Sequence, residues 1–365
     1  MAPIPKRGVV AVTGAAGFLG GWVVERLLAK GYRVRACVRN ADDAERTGFL
    51  RAMGGYASGR LTLHSADLDN AGCLDEVLKG CHGLAHVAHI SDYADQDYCA
   101  RTCAHVIASV NGSGSVTRVV VTSSVAAVIS EMDLEEIRRR PVFNEDRYPD
   151  ELNPRRTPER GQGYSMAKLI AERAFAEAAE KSGGFWDAIT VCPGDNVGPI
   201  LAPHHRGRNT GPWQSLIAGM LEGQCIQTGV YRPWMTVDVR DDAECHARLL
   251  ETGEVQNGAR FIAWSTDARN VEDICADIGR LLPELDHATP EVVDPFSDRI
   301  KEREHQFRAI WALADLRNDR MRAATGVSFR PLDDSIRDCV ESLLSIAKVE
   351  VKRRGEAPAN LETVG

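Results

Sequence analysis

Residues 9–20 read Val9-Val10-Ala11-Val12-Thr13-Gly14-Ala15-Ala16-Gly17-Phe18-Leu19-Gly20, and this stretch decides the fold. Apolar and β-branched residues make a strand, three spaced glycines make a turn, and residues 19–30 continue as an amphipathic helix. Gly14 permits the tight turn, Gly17 lets the backbone approach a pyrophosphate, and Gly20 allows the helix to lie close on the strand. The helix N-terminus then offers free N–H groups and the positive end of its dipole to an anion. Strand, turn and helix in this order predict dinucleotide binding rather than an ordinary turn.

Working outward, short apolar runs at 33–38, 61–64, 83–88, 118–122 and 188–192 alternate with helix-like segments such as 74–79. Near-continuous apolar strands separated by helices predict an α/β fold, a doubly wound parallel sheet of Rossmann type covered on both faces. After Pro193 the pattern loosens into a stretch rich in Gly, Pro and aromatics, then helix-like runs at 241–252, 270–282, 308–323 and 333–348. The expected organisation is a dinucleotide-binding domain over 1–193 and a smaller C-terminal substrate lobe over 194–350. Some return to the sheet is expected near 225–250, with a frayed tail over 351–365.

A length of 365 residues suits this arrangement and buries a core without disulfide or metal staples. With 44% hydrophobic and 26% charged residues the chain is neither disordered nor fibrous. A net charge of −8 repels phosphate backbones, so nucleic acid is not an expected partner. The apolar runs at 119–121 and 125–129 fall far short of the roughly 20 residues that span a bilayer. Residues 1–8 carry no apolar signal segment, so a cytoplasmic protein without membrane contact is expected. Ten cysteines without a CxxC pair read as small buried hydrophobes. His82, His86, His89, Cys99, Cys103 and His105 are zinc-ligand types, but their spacing matches no familiar site and no metal is expected.

The end of the second strand chooses the cofactor. An NAD site places an acid there for the ribose 2′-OH, whereas this chain reads Val38-Arg39-Asn40. Arg39 offers a planar fork to a 2′-phosphate, which favours NADP(H) over the alternative of a solvated surface arginine. Asp67-Leu68 follows the third strand, where the carboxylate can meet the adenine amine or simply be solvated.

Tyr164-Ser165-Met166-Ala167-Lys168 places a phenol and an ammonium one helical turn apart on one face. The ammonium stabilises a phenolate, making Tyr164 a proton donor or acceptor near neutral pH. Thr122-Ser123-Ser124 ends a strand at the sheet edge where such folds bind ligands.

Together, TGAAGFLG, DL, HVA, TSS, YSMAK and PGDNVGP resemble the extended short-chain dehydrogenase/reductase family, in the family's order. The runs GYRVRACVR, RVVVTSSVAAV and YSMAKLIAE resemble its dihydroflavonol reductase, cinnamoyl-CoA reductase and aldehyde reductase branch. The likeness covers about residues 8–260. It implies that Ser124, with Ser123 as the alternative, polarises the substrate oxygen, that Tyr164 transfers the proton, and that Lys168 holds the nicotinamide ribose. It further implies cofactor contacts at Gly14, Phe18, Leu19, Arg39, Asp67, Leu68, Val87 and Ala88, with Pro193 walling off the nicotinamide. Three departures stand out. Residues 89–121 are shorter than in relatives, with Asn111–Ser115 where a helix usually ends. His89 replaces Thr or Ser before Pro. Gly194-Asp195-Asn196 makes the cofactor wall more polar.

For the substrate, His89, Trp213, Tyr231 and Trp234, with Met235 and His204-His205, form the candidate pocket, each equally readable as lobe core. The expected reaction is NADPH-dependent reduction of an aldehyde or ketone, on a small-molecule carbonyl or alcohol, aromatic ones included, by a monomer or homodimer. Oxidation of a hydroxyl, as in hydroxysteroid dehydrogenase or sugar-nucleotide epimerase relatives, is the second reading. A non-catalytic NADP-sensing protein is the third, disfavoured because Tyr164 and Lys168 are both present.

Overall fold

The computed structural model describes residues 3–88, 92–129, 134–148, 163–207, 211–224, 226–227, 234–253, 255–265, 268–269, 271–288, 292–293 and 312–355. Seven strands build the main sheet: β1 (Val9–Thr13), β2 (Arg33–Val38), β3 (Leu61–Ser65), β4 (Gly83–His86), β5 (Arg118–Thr122), β6 (Asp187–Pro193) and β7 (Arg260–Ala263). Their order is β7-β6-β5-β4-β1-β2-β3, with every neighbouring pair parallel. The order reverses between β1 and β4, which opens a ligand crevice at the carboxyl ends of the strands. β4 stops at His86, two residues before the expected end, and the Ala88 N–H turns to Thr13 Oγ1 at 3.2 Å.

Strand alternation divides the core. Val10, Val12 and Val34 face helix α1 (Phe18–Ala29) through Val23, Val24 and Leu27. Ala11, Leu84 and Val119 face helices α2 (Gln96–Ser113) and α3 (Gly163–Lys181), through Val106, Val110 and Phe175. The chain after Pro193 adds helices α4 (Pro212–Leu221), α5 (Val239–Glu251), α6 (Val271–Leu281) and α7 (Leu332–Ser345). Helix α5 brings Leu249 and Leu250 to the α1 side of the sheet, while α4, α6 and α7 share a second core that also takes Phe18. Arg118, fully buried, grips Asp187 with two hydrogen bonds of 2.9 and 2.7 Å and donates to Leu249 O at 3.1 Å. It therefore locks β5, β6 and the end of α5 together.

Three expectations change. The return to the sheet is made at Arg260–Ala263 rather than near 225–250, because a four-residue strand carries too short a pattern to stand out. Helix α2, which ends within Asn111–Ser115, carries no periodic apolar stripe because its buried face is largely Cys99, Thr102, Cys103 and Ser109; Asp95 caps it through Tyr98 N at 2.9 Å, and Gly114 ends it at φ 62°. In place of one helix over 308–323, the described part holds a short strand, Asp315–Leu316, paired with Val142–Phe143, and then a helix, Asp319–Thr325. The start of the tail is tied down, since Lys352 N donates to Leu221 O at 2.8 Å and Arg353 bridges His287. Among the described residues no helix is long and apolar enough to cross a membrane.

Gly20 and Gly48 test the turn. A Cβ on Gly20 would lie 2.1 Å from Gly14 O, whereas one on Gly48, inside the helix Ala44–Ala52, meets nothing within 4 Å. Gly20→Ala should lower stability by at least about 1–3 kcal/mol through overpacking. Gly48→Ala should raise it by about 0.5–1 kcal/mol through helix propensity. Urea midpoints of both variants check the contrast.

Candidate active site

The glycine-rich turn lies between β1 and α1 with its glycines used as their positions demand. Gly14 has φ +67°, and a Cβ there would come within 2.8 Å of Ala88 Cα. The turn closes through Gly17 N to Gly14 O at 2.9 Å. Gly17 is the N-cap of α1 and supplies no capping side chain, and the first turn holds no acid. The first N–H groups of α1 thus face the crevice with a positive dipole end and no competing carboxylate. Phe18 is buried in the second core and Leu19 leans on it, so both would meet a pyrophosphate through main-chain N–H rather than side chain. A cradle that a single Cβ would fill is what a dinucleotide phosphate needs.

Arg39 stands one residue past β2, exposed and without an ion pair or hydrogen bond among the described residues. Arg35, the nearby arginine on the same strand, instead donates to Val77 O and Lys79 O at 2.5 and 2.7 Å. Of the two, Arg39 is therefore the arginine left open to solvent. Asp67 lies half-buried after β3 and accepts from Asp69 N at 3.3 Å, with Leu68 beside it. Val87 and Ala88 follow β4 against the glycine turn, and Pro193 ends β6, buried and in register with Ala263.

At the carboxyl edge of β5 the two serines part company. Ser123 is buried and donates its hydroxyl to Glu172. Ser124 accepts from Ala126 N at 3.1 Å, and its own hydroxyl proton has no acceptor among the described residues. Ser124 is thus the serine with a donor to spare. Tyr164, in the first turn of α3, is 37% exposed, and its hydroxyl has no hydrogen-bond partner among the described residues. Lys168 is buried one turn on, with Nζ 5.5 Å from the Tyr164 ring centre and donating to Thr122 O at 3.1 Å. Ser165 donates to Ala126 O at 2.6 Å, so the Ser124 turn and the start of α3 share one residue as a hinge pin.

Sequence reasoning missed Tyr93. Its ring meets Tyr164 edge-on at 4.7 Å and 84°, and burial, followed by the neighbouring Tyr164, pushes its phenol pKa up. No local pattern announces it, since it belongs to a loop. The histidine pair is reassigned: His204 and His205 meet Ala16 O of the glycine turn at 2.8 and 3.2 Å and pack around Phe49. They buttress the cofactor turn rather than line a substrate pocket. Trp213 leans on the second core. Trp234 begins a strand, Trp234–Asp238, but its side chain lies outside the described residues, as do His89 and Tyr231. Of the zinc-type residues, His82 accepts from Val9 N, His105 bonds Leu68 O, and no metal-holding cluster forms among the described residues.

His86 bonds Thr13 Oγ1 at 2.9 Å and stacks obliquely on Phe175 at 5.2 Å. Burial, and secondarily the Lys168 ammonium, lower its pKa from 6.5 to about 3. His205 is likewise lowered to about 3, by burial and then by His204. Both are neutral in the fold but take up a proton in the unfolded chain below its ordinary pKa. Their contribution is thus present above pH 6.5 and lost as pH falls toward 3. Stability should decline across that window, and His86→Asn should flatten the slope by about 1.4 kcal/mol per pH unit, one proton's worth. Urea midpoints measured from pH 7 down to about 4 check it.

Known proteins resemble this chain in sequence and in fold. Residues 10–262 match the model of the NAD-dependent epimerase/dehydratase family. A dihydroflavonol 4-reductase of Hordeum vulgare is 33% identical over 272 residues, 72% of each chain. The cinnamoyl-CoA reductase 1 of Petunia hybrida is 29% identical over 96% of each chain. Among solved structures, the yeast methylglyoxal/isovaleraldehyde reductase complexed with NADPH shares the fold at TM-score 0.74 and 21% identity, over 92% of this chain and 98% of its own. Vestitone reductase from alfalfa (Medicago sativa) shares it at TM-score 0.68 and 23% identity, over 92% and 98%. On these matches the chain belongs to the NAD-dependent epimerase/dehydratase family.

Proposed function

We propose that the chain is an NADP(H)-dependent reductase that converts an aldehyde or ketone to an alcohol at Ser124, Tyr164 and Lys168. The observation that carries this reading is the arrangement at the carboxyl edge of the sheet. Among the described residues a tyrosine hydroxyl without a hydrogen-bond partner stands one turn from a buried ammonium, and Ser165 ties that helix to the turn that Ser124 opens, where the Ser124 hydroxyl proton has no acceptor. Relatives named as dihydroflavonol and cinnamoyl-CoA reductases support the same class.

The glycine turn, the first N–H groups of α1 and Arg39 would hold the cofactor, with Asp67, Leu68, Val87, Ala88 and Pro193 along its length. The bound nicotinamide supplies the hydride. Ser124 donates a hydrogen bond to the substrate carbonyl oxygen and draws charge onto it. Tyr164 delivers the proton to that oxygen, and Lys168 favours the phenolate left behind by its positive charge. The lobe after Pro193 supplies the substrate side. Tyr93, set edge-on to Tyr164, gives the pocket an aromatic wall suited to a flat or apolar carbonyl. The missing acid after β2 favours this reductive NADPH reading over an epimerase or alcohol-oxidising one.

Two measurements test the proposal. Wild-type protein should consume NADPH with members of a panel of aromatic and aliphatic aldehydes and ketones. Tyr164→Phe should bind NADPH normally and lose about 10²- to 10⁴-fold in turnover; a rate within a few-fold of wild type would remove Tyr164 from the mechanism.

Cofactor choice is tested separately. A 2′-phosphate bound by a guanidinium should make NADPH bind roughly 10- to 150-fold more tightly than NADH. Arg39→Ala should erase most of that preference while leaving NADH unchanged. Fluorescence titration of both cofactors decides it.

A further inference from the structure

A buried polar line runs beneath the proposed catalytic edge, and the mechanism above does not use it. Asp242 and His246 lie one turn apart on α5, both with no exposed surface. His246 Nδ1 meets Asp242 O at 2.8 Å and lies 3.2 Å from Asp242 Oδ1. Both neighbours accept, so Nδ1 carries the proton. On the other side of the ring, Nε2 shares a hydrogen bond of 2.8 Å with Thr122 Oγ1. Thr122 is the last residue of β5, and its carbonyl oxygen takes the Lys168 ammonium at 3.1 Å.

In the other direction, Asn196 Nδ2 donates to Asp242 Oδ2 at 3.0 Å, and Gln214 Nε2 of α4 donates to Asn196 O at 3.0 Å. Asn196 belongs to the Gly194-Asp195-Asn196 departure, so the unusual polarity of that wall has a partner inside the protein. Burying a carboxyl group and an imidazole is costly unless both are hydrogen-bonded, and the partners that satisfy this pair lead to the end of β5. What it touches is the one residue that both holds Lys168 and precedes Ser123 and Ser124.

We infer that Asp242, His246 and Thr122 are positioning residues for Lys168, with Asn196 linking them to the cofactor-side wall. This rests on the reductase reading of the site. Held by His246, the Thr122 side chain fixes the end of β5, and with it the carbonyl that aims the ammonium at Tyr164 and the nicotinamide ribose.

The test compares Thr122→Val, which keeps shape and removes the hydroxyl, with Thr122→Ser, which keeps the hydroxyl. Thr122→Val should lower kcat about tenfold with the substrate KM little changed, as expected when a reacting group is misaimed rather than the substrate loosened. It should also weaken NADPH binding several-fold, read by fluorescence titration without any substrate. Thr122→Ser should restore both to near wild type. Wild-type kcat and NADPH affinity in Thr122→Val would overturn the inference, as would a Thr122→Ser variant as impaired as Thr122→Val, which would assign the effect to the lost methyl packing. If the wild type reduces no carbonyl at all, the reductase reading falls. The NADPH titrations then judge the positioning role alone: affinity lost in Thr122→Val and regained in Thr122→Ser upholds it, and equal affinities reject it.

Discussion

The Arg260 guanidinium is the contact on which the geometry of the site depends. It projects from β7, buried, and donates to Ala127 O at 2.9 Å and to Arg147 O at 2.6 Å. Its Nε pairs with Glu172 Oε2 at 2.9 Å. Ala127 closes the turn that Ser124 opens, and Glu172 lies on α3 two turns beyond Tyr164 and one beyond Lys168. A single planar cation therefore bolts the serine turn and the tyrosine helix to the same strand. Lysine, a point charge on a flexible stem, lacks the planar fork that holds these acceptors in fixed directions. Burial pushes the Glu172 carboxyl pKa up, while Arg260 and the Ser123 hydroxyl act against that push. A buried pair of this kind adds little net stability over apolar residues, yet losing one partner typically costs about 3–5 kcal/mol. Its return is geometric.

That geometry divides labour among neighbours of similar chemistry. Ser123 donates its hydroxyl to Glu172, whereas the Ser124 hydroxyl proton has no acceptor among the described residues. Arg35 closes the carbonyl end of the short helix Asp75–Leu78, which leaves Arg39 open. The same logic joins the two cores. Phe18 begins α1 yet packs with α4, α6 and α7, and His204 and His205 reach back to Ala16. The glycine turn is thus braced by residues that follow Pro193 in the chain.

How much of this is legible in the sequence follows from the range of each interaction. The strand–turn–helix at 9–20 and the Tyr164–Lys168 pair are local, and periods of two and of about 3.6 residues reveal them directly. Strand β7 is four residues long and helix α2 hides its inward face behind cysteine, threonine and serine, so neither carries a pattern strong enough to read. Tyr93, His204 and His205 act through contacts with residues far away in the chain. Arg260 and Glu172 are 88 positions apart, and nothing near either of them marks the partner. The separation of Ser124 from Ser123 likewise depends on Glu172, so local sequence leaves the two serines interchangeable and packing distinguishes them.

A net charge of −8 opposes a cofactor that is itself an anion only at long range, and the resolution lies in distance. Charges on an aqueous surface are screened over about 8 Å at physiological salt, so the summed acidity governs long polyanions that lie across many surface patches. A dinucleotide is short enough to be judged by what lies within hydrogen-bonding reach. Around the proposed cofactor site the chain presents the N–H groups of α1 with no acid in its first turn, Arg39 without an ion pair among the described residues, and the Lys168 ammonium. The acids that α1 neighbours do carry are engaged at its far end, where Glu244 binds Arg26 and Lys30, and Glu251 binds Lys30. Cations at the C-terminal end of α1 answer the negative pole of its dipole, and the bare glycines at its start leave the positive pole for a phosphate. The helix is charged in the sense its dipole favours at the end that is paired, and left open at the end that faces the crevice.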